Sequence, residues 1–272
     1  SLYGKIGRES WKINFYAGFN HQIQWGGELS SLERLSSIKN GKIPSSLIDY
    51  LYSVTGISLN KIDEQGPINI DEFTVYDLTN RIGNHFGSID IGMKARIKIG
   101  EFQLYRQSVY DDGSLFYLTN ISDGLTGISF KPVNNKYLNK VLFEFFDSRN
   151  QGGMLGPDQS NNYLRGTDNY FNHGQYLDGW SYKSLTLGSP LVLPQSHVLK
   201  QLQLYTNNIS ANVPFNYFTS NNRVKVFYIA LDYNFNKIHC FSRGSFSQNL
   251  GTYKFPFENR INQLSLQTSL EW

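Results

Sequence analysis

Residues 10–25 read SWKINFYAGFNHQIQW. Odd positions from Trp11 carry Trp11, Ile13, Phe15, Ala17, Phe19, His21, Ile23 and Trp25; even positions carry Lys12, Asn14, Tyr16, Gly18, Asn20, Gln22 and Gln24. Only His21 interrupts the apolar row. A period of two held for about 15 residues predicts one extended strand, well beyond the usual 5–6 residues of a soluble sheet. At roughly 3.3 Å per residue and a tilt near 45°, such a row rises about 30 Å, the thickness of a bilayer core.

The pattern recurs. Residues 88–99 set Ile89, Ile91, Met93, Ala95, Ile97 and Ile99 against Asp90, Gly92, Lys94, Arg96 and Lys98. Residues 227–235 set Phe227, Ile229, Leu231, Tyr233 and Phe235 against Tyr228, Ala230, Asp232 and Asn234. Residues 262–272 set Leu264, Leu266, Thr268, Leu270 and Trp272 against Gln263, Ser265, Gln267, Ser269 and Glu271. Alternation is weaker in 101–110 and 237–248. A soluble sandwich would turn each charged row to water and each apolar row to a core. Strand length, aromatic residues at the strand rims and recurrence favour a transmembrane β-barrel instead.

Strands are expected near 2–8, 10–25, 86–99, 101–110, 123–131, 138–148, 180–189, 198–206, 223–235, 237–248 and 262–272. Their connections alternate in length. Short ones fall at Glu9-Ser10, Gly100, Pro132–Lys136, Pro190–His197 and Asn236; long ones are 26–85, 111–122, 149–179, 207–222 and 249–261. Bacterial barrels place short turns in the periplasm and long loops outside. By that parity Trp272 is periplasmic, and the first strand runs inward from outside. Eleven strands is an odd number, whereas single-chain bacterial barrels usually have an even one. The expectation is therefore an all-β fold, a transmembrane antiparallel barrel of which residues 1–272 form the C-terminal portion. Strands upstream would be missing, unless one strand is miscounted.

Composition narrows the class. The chain is 15% aromatic and 17% charged, with a mean hydropathy of −0.39 and no apolar run of about 20 residues. Half-polar strands rich in Tyr and Phe suit a barrel better than a helical membrane protein. A net charge of +3 is too small to imply nucleic acid. The single cysteine, Cys240, excludes an internal disulfide, and its simplest role is a small apolar side chain in a strand. No cluster with zinc-ligand spacing occurs, and no metal or cofactor is expected. No N-terminal signal peptide is visible, so a mature product, or a chain that begins mid-protein, is expected.

The long connections carry the candidate chemistry. Segment 26–85 exceeds a plain loop and is expected to fold over or into the lumen. Within it, 44–54 reads as a short helix: Pro44 suits a first turn, Ser45 and Ser46 stand near the cap, and Leu47, Ile48, Leu51 and Val54 recur at helical spacing. Segment 165–180, RGTDNYFNHGQYLDGW, mixes aromatic rings that stack on sugars with planar donors and acceptors for hydroxyls. The candidate glycan-binding residues are Tyr163, Arg165, Asp168, Asn169, Tyr170, Phe171, His173 and Tyr176. The competing reading makes Tyr170, Tyr176 and Trp180 girdle aromatics and Asp and Asn turn formers. Trp180 fits that second reading better; Tyr163, Tyr170 and Phe171 fit either. His85 and His173 lie near carboxylates and serines, but no GxSxG elbow occurs, and loop-structuring hydrogen bonds are the expected role of both. Asp111, Asp112 and Asp123 lack EF-hand spacing, and Asp112-Gly113 reads as a turn.

An ordered set of motifs resembles the Bacteroidetes branch of the Wzi-type capsule assembly proteins. The set comprises QWGG at 24–27, KIPSSLIDYLYSVTG at 42–56, GNHFGSIDIG at 83–92, LYRQSVYDDGSL at 104–115 and DGLTGISF at 123–130. It continues with DNYFNHGQYLDGWSYKSLTLGSPLV at 168–192, NNRV at 221–224 and SRGSFSQNLGTY at 242–253. The resemblance covers most of the chain. It implies a large outer-membrane barrel with helices occluding the lumen, some members being lectin-like proteins that hold capsular polysaccharide at the cell surface. Family members are longer, with the excess upstream, and no catalytic residues carry over.

The function expected is therefore a non-enzymatic outer-membrane barrel that binds or organises capsular or other surface polysaccharide, with the lipid bilayer as its surroundings. Two alternatives stay open. One is an accessory or scaffold subunit bound to other outer-membrane or periplasmic proteins. The other is a channel, which barrels of about 16–18 strands can form. Lys94, Arg96 and Lys98 on the lumen side would suit an acidic glycan, although charged barrel interiors are routine.

Overall fold

Alternating strands joined by short turns can pair with their neighbours in sequence, and the computed structural model has that arrangement. It describes residues 1–28, 42–57, 81–155, 166–198 and 217–272. The elements in chain order are β1 (Leu2–Ile6), β2 (Ile13–Gln24), β3 (Gly27–Glu28), β4 (Lys42–Ile43), α1 (Leu47–Thr55), β5 (Asn84–Ile97), β6 (Gly100–Asp111) and α2 (Ser114–Tyr117). They continue with β7 (Gly124–Pro132), β8 (Leu138–Asp147), β9 (Ser181–Tyr182), β10 (Leu185–Thr186), β11 (Val224–Phe235), β12 (Ile238–Gly251) and β13 (Pro256–Glu271). Nine strands form one antiparallel sheet in the order β1-β2-β5-β6-β7-β8-β11-β12-β13. The chain is thus all-β, and none of its described helices is long and apolar enough to cross a membrane.

The register aligns the apolar rows of all nine strands. One line of directly opposed residues runs Ile6, Phe15, Met93, Leu104, Ile128, Phe143, Ile229, Gly244, Leu266. Side chains opposed in this way share a face. Leu266 crosses the glycine, so a Cβ on Gly244 would stand 2.9 Å from its Cδ2. No described residue covers this row: Ile6 is 71% exposed, Phe143 51% and Leu266 77%. Each such side chain left in water forfeits about 1.5–3 kcal/mol of burial. The opposite face, one residue out of step, carries Tyr16, Gly92, Tyr105, Gly127, Glu144, Tyr228, Ser245 and Ser265. It is the concave one, because Tyr3 of β1 and Ser265 of β13 line the same cavity. The edge strands β1 and β13 do not pair with each other.

On the concave face glycines let tyrosines cross the sheet. The Tyr105 ring lies over Gly127, where a Cβ would overlap it, and its hydroxyl donates to Glu144 on the next strand. Tyr3 lies over Gly18 in the same way, and its hydroxyl donates to Asn20 Oδ1 at 2.8 Å. Each crossing ties three adjacent positions at the expense of one side chain.

The helix of segment 26–85 is α1, close to its expected bounds. Ser46 caps it: its Oγ accepts from Asp49 N at 3.3 Å, and Asp49 Oδ2 accepts from Ser46 N at 2.6 Å. Two expectations change. Residues 180–189 form no strand of the large sheet; β9 and β10 make a miniature hairpin whose turn, Lys183-Ser184, has both φ angles positive. The stretch 249–261 is mostly strand, since β12 reaches Gly251 and β13 begins at Pro256. Residues 199–206 of the expected strand at 198–206 lie outside the described residues. With β8 paired directly to β11, the whole of 148–223 is one connection, and the long and short connections still alternate until the tight turn before β13.

Candidate functional site: a capped cavity on the concave face

The concave face is polar toward the short turns and apolar toward the long connections. At that apolar end Phe86, Val109, Leu125, Phe146 and Val226 project from five strands. Part of the 148–223 connection folds down onto them. Its Tyr170, Phe171, Trp180 and Val192 complete a hydrophobic core. Phe86 is the keystone, with ring centroids 5.1 Å from Phe171, 5.8 Å from Tyr170 and 6.1 Å from Trp180. The close pass of chain in which Trp180 N donates to Phe171 O at 3.2 Å needs Gly179, whose φ is +55 and whose Cβ position is filled by the Phe171 carbonyl.

Polar side chains fasten this cap at both feet. Asp123, at the start of β7, accepts from Asn150 N at 3.0 Å, from Gln151 N at 2.7 Å and from the Tyr170 hydroxyl at 3.0 Å. Asn120 Nδ2 donates to Asp168 Oδ2 at 2.6 Å. On the other side Asn222, just before β11, donates to Asn169 Oδ1 at 2.7 Å and to Tyr170 O at 2.9 Å. Asn172 exchanges bonds with Thr219 in both directions, each at 2.9 Å. Arg106 holds the 112–123 connection by donating to the carbonyls of Ile121, Ser122 and Asp123.

Beneath the cap lies a cavity of about 850 Å³, inside the 300–1,000 Å³ range of ligand pockets. Its roof is Tyr170, Phe171 and Trp180; its floor includes Asn20, Gln22, Ser88, Gln107, Glu144, Tyr228, Arg243 and Gln267. Glu144 is engaged by Tyr105, and Arg243 Nε donates to Gln267 Oε1 at 2.7 Å. Trp180 Nε1 is buried and has no hydrogen-bond partner among the described residues. Aromatic faces above amides and hydroxyls suit a neutral, hydroxyl-rich molecule with one apolar side.

The sequence candidates divide. Tyr170 and Phe171 line the cavity but are buried, Tyr170 to 1% exposure, so they serve the core as well as the roof. Asp168 and Asn169 are committed to the fastenings. His173 accepts through Nδ1 from Gln175 N at 3.1 Å and Tyr176 N at 3.2 Å, and its ring lies 5.3 Å from that of Tyr176. Tyr163 and Arg165 lie outside the described residues. Trp180, read from sequence as a girdle residue, belongs to the roof. The floor residues went unselected because polar positions in alternating strands look alike in sequence. Among the described residues no group of three or more His, Cys, Asp or Glu side chains is placed to hold a metal ion.

Two cap residues titrate in opposite senses. Burial, with Asp112 and Asp123 nearby, raises the Asp168 carboxyl to about 7 against the bonds from Asn120 and Ser114. Burial lowers the His173 imidazole to about 4. Folded Asp168 keeps a proton that the unfolded chain has released, so its contribution falls as pH rises from about 4 to about 7. Folded His173 refuses a proton that the unfolded chain accepts below about 6.5, so its contribution falls as pH drops toward about 4. In their shared window the two slopes oppose each other. Asp168→Asn removes the opposing slope of that carboxyl, so cap protection will fall more steeply than in wild type as pH drops from 6.5 to 4, by on the order of 1 kcal/mol per unit. Hydrogen exchange of residues 175–180, corrected for intrinsic rates, checks this. A profile parallel to wild type contradicts it.

No protein-family model, no curated protein and no solved structure matches the chain.

Proposed function

We propose that this chain is the C-terminal portion of an outer-membrane β-barrel that binds and organises capsular or other surface polysaccharide without catalysing a reaction. The observation that carries the membrane reading is the uncovered apolar row running across all nine strands, from Ile6 to Leu266. A face of this extent exceeds the patches that soluble monomers leave in water, and a bilayer is the surrounding that rewards it. Further strands between β1 and β13 would close the barrel. The ordered motifs that resemble those of the Wzi-type capsule proteins support the polysaccharide reading, as does a cavity with an aromatic roof and an amide-rich floor.

The test uses the full-length protein extracted from native outer membranes in mild detergent. Surface polysaccharide is expected in the eluate. Gln107→Ala and Tyr228→Phe alter the floor without touching the cap, and each is expected to lower retained glycan by about three- to tenfold, the value of one lost hydrogen bond. Wild-type retention in both variants, or no glycan at all, overturns the reading. A stoichiometric set of envelope proteins in place of glycan would favour the accessory-subunit alternative.

A further inference from the structure

His21, the one polar residue in the apolar row of β2, does not stand alone. Its Nδ1 lies 2.7 Å from the Tyr110 hydroxyl, and its Nε2 lies 3.1 Å from His85 Nδ1. Each end of this chain terminates on a carbonyl. The Tyr110 hydroxyl lies 2.9 Å from Asn20 O, and His85 Nε2 lies 2.8 Å from Ile82 O. The group spans β2, β5 and β6 at the end of the sheet that bears the long connections, and both Tyr110 and His85 are buried. Gly87 makes room for it, because a Cβ there would overlap the Tyr110 hydroxyl.

Counting protons exposes an imbalance. There are four contacts, and each needs one hydrogen. Both end carbonyls only accept. The tyrosine supplies one hydrogen, and each neutral imidazole supplies one. Three hydrogens cannot fill four contacts, so the neutral network always leaves one pair of acceptors facing each other. One added proton fills all four. Tyr110 then donates to Asn20 O, His21 donates from both nitrogens, and His85 donates to Ile82 O. A second proton has no contact left to complete.

We infer that His21, His85 and Tyr110 form a binding site for a single proton, which closes the hydrogen-bond network joining the ends of β2, β5 and β6. Two charges on the pair repel each other, since the imidazole rings lie 5.1 Å apart. The Asp112 carboxyl accepts from His85 N at 3.2 Å. Arg81, near both imidazoles, and His173, near His85, oppose positive charge on the pair. Uptake of the proton pins the lead-in at Ile82 to three strand ends; its release leaves one link of the network unmade. This inference is independent of the polysaccharide reading.

Histidine ¹⁵N NMR of the full chain in detergent micelles, titrated from pH 8 to 4, tests it. The His21 and His85 signals are expected to move together in one step that takes up one proton. Tyr110→Phe removes one hydrogen and two contacts, leaving two contacts and two hydrogens. The neutral pair is then complete, so the midpoint is expected to fall by about one pH unit or more. Two independent steps in the wild type, each taking a proton, overturn the inference whether or not the variant folds. An unchanged or raised midpoint in a folded Tyr110→Phe variant overturns it as well.

Discussion

Asp123→Ala will release the cap from the sheet while leaving the strands paired. The substitution strips acceptors from Asn150 N, Gln151 N and the Tyr170 hydroxyl at once. Gln151 and Tyr170 are buried and Asn150 half-buried, and an orphaned buried donor costs about 1–3 kcal/mol. Together the loss is about 3–5 kcal/mol, enough to raise the open population of the cap by about 10²–10⁴-fold. The β6–β7 and β7–β8 ladders do not depend on this carboxylate, since Asp123 precedes the first paired residue of β7. Hydrogen exchange will separate the two parts: peptides within 148–155 and 166–180 lose protection, while those from β6 and β8 keep theirs. Equal loss in both would mean that the sheet itself leans on Asp123. Asp123→Asn will not rescue, because one of the carboxylate oxygens becomes a donor facing another donor.

Trp180→Ala will have an effect of similar size by a different route. Trp180 is buried in the cluster with Phe171, Tyr170 and Phe86, and truncating such a side chain costs about 3–5 kcal/mol in lost contacts and residual cavity. It also removes a wall of the 850 Å³ cavity. Cleavage of the cap by thermolysin under native conditions is expected to accelerate by about two to four orders of magnitude, because opening becomes that much more frequent. Trp180→Phe keeps most of the ring contact and is expected to fall between the two. A cleavage rate within about twofold of wild type for the alanine variant would show that the roof is not what holds the cap down.

The strands were the most legible part of the chain. A period of two is imposed by the pleat wherever one face is apolar, so β2, β5, β11 and the Leu264–Leu270 stretch of β13 declared themselves. Helix α1 was legible for another local reason: Pro44 and two serines stand where a helix begins, ahead of Leu47, Ile48, Leu51 and Val54 at helical spacing. What failed to show was decided by contacts at long range. Residues 180–189 alternate well enough to pass for a strand. They turn back after two residues because Lys183 and Ser184 adopt left-handed backbone, for which that dipeptide gives no warning, and because Trp180 is drawn into the core beneath. The last loop looked long because Phe257 to Arg260 lack alternation; they nonetheless continue β13 beyond the apolar band. The candidate site was half visible. The aromatic residues of 168–180 drew attention as ligand contacts, and two of them, Tyr170 and Phe171, do line the cavity. Their second duty, closing a core against strands far away in sequence, depends on Asp123 and Asn222, which are unremarkable locally.

The order of pairing has a consequence for how the molecule assembles. Strands β5 to β8 follow one another through connections no longer than 112–123, and β11 to β13 through tight turns. Each group is a run of hairpins whose contacts close small loops and form early. The ladder between β8 and β11 is different: it must first close the 148–223 loop, at an entropic cost of about 4 kcal/mol before any contact repays it. The cap lies inside that loop and is tied to the first run through Asp123 and Asn120, and to the lead-in of the second through Asn222 and Thr219. Docking the cap shortens the span that remains to be closed, so the segment that roofs the cavity is also the splint by which two hairpin arrays find their common register.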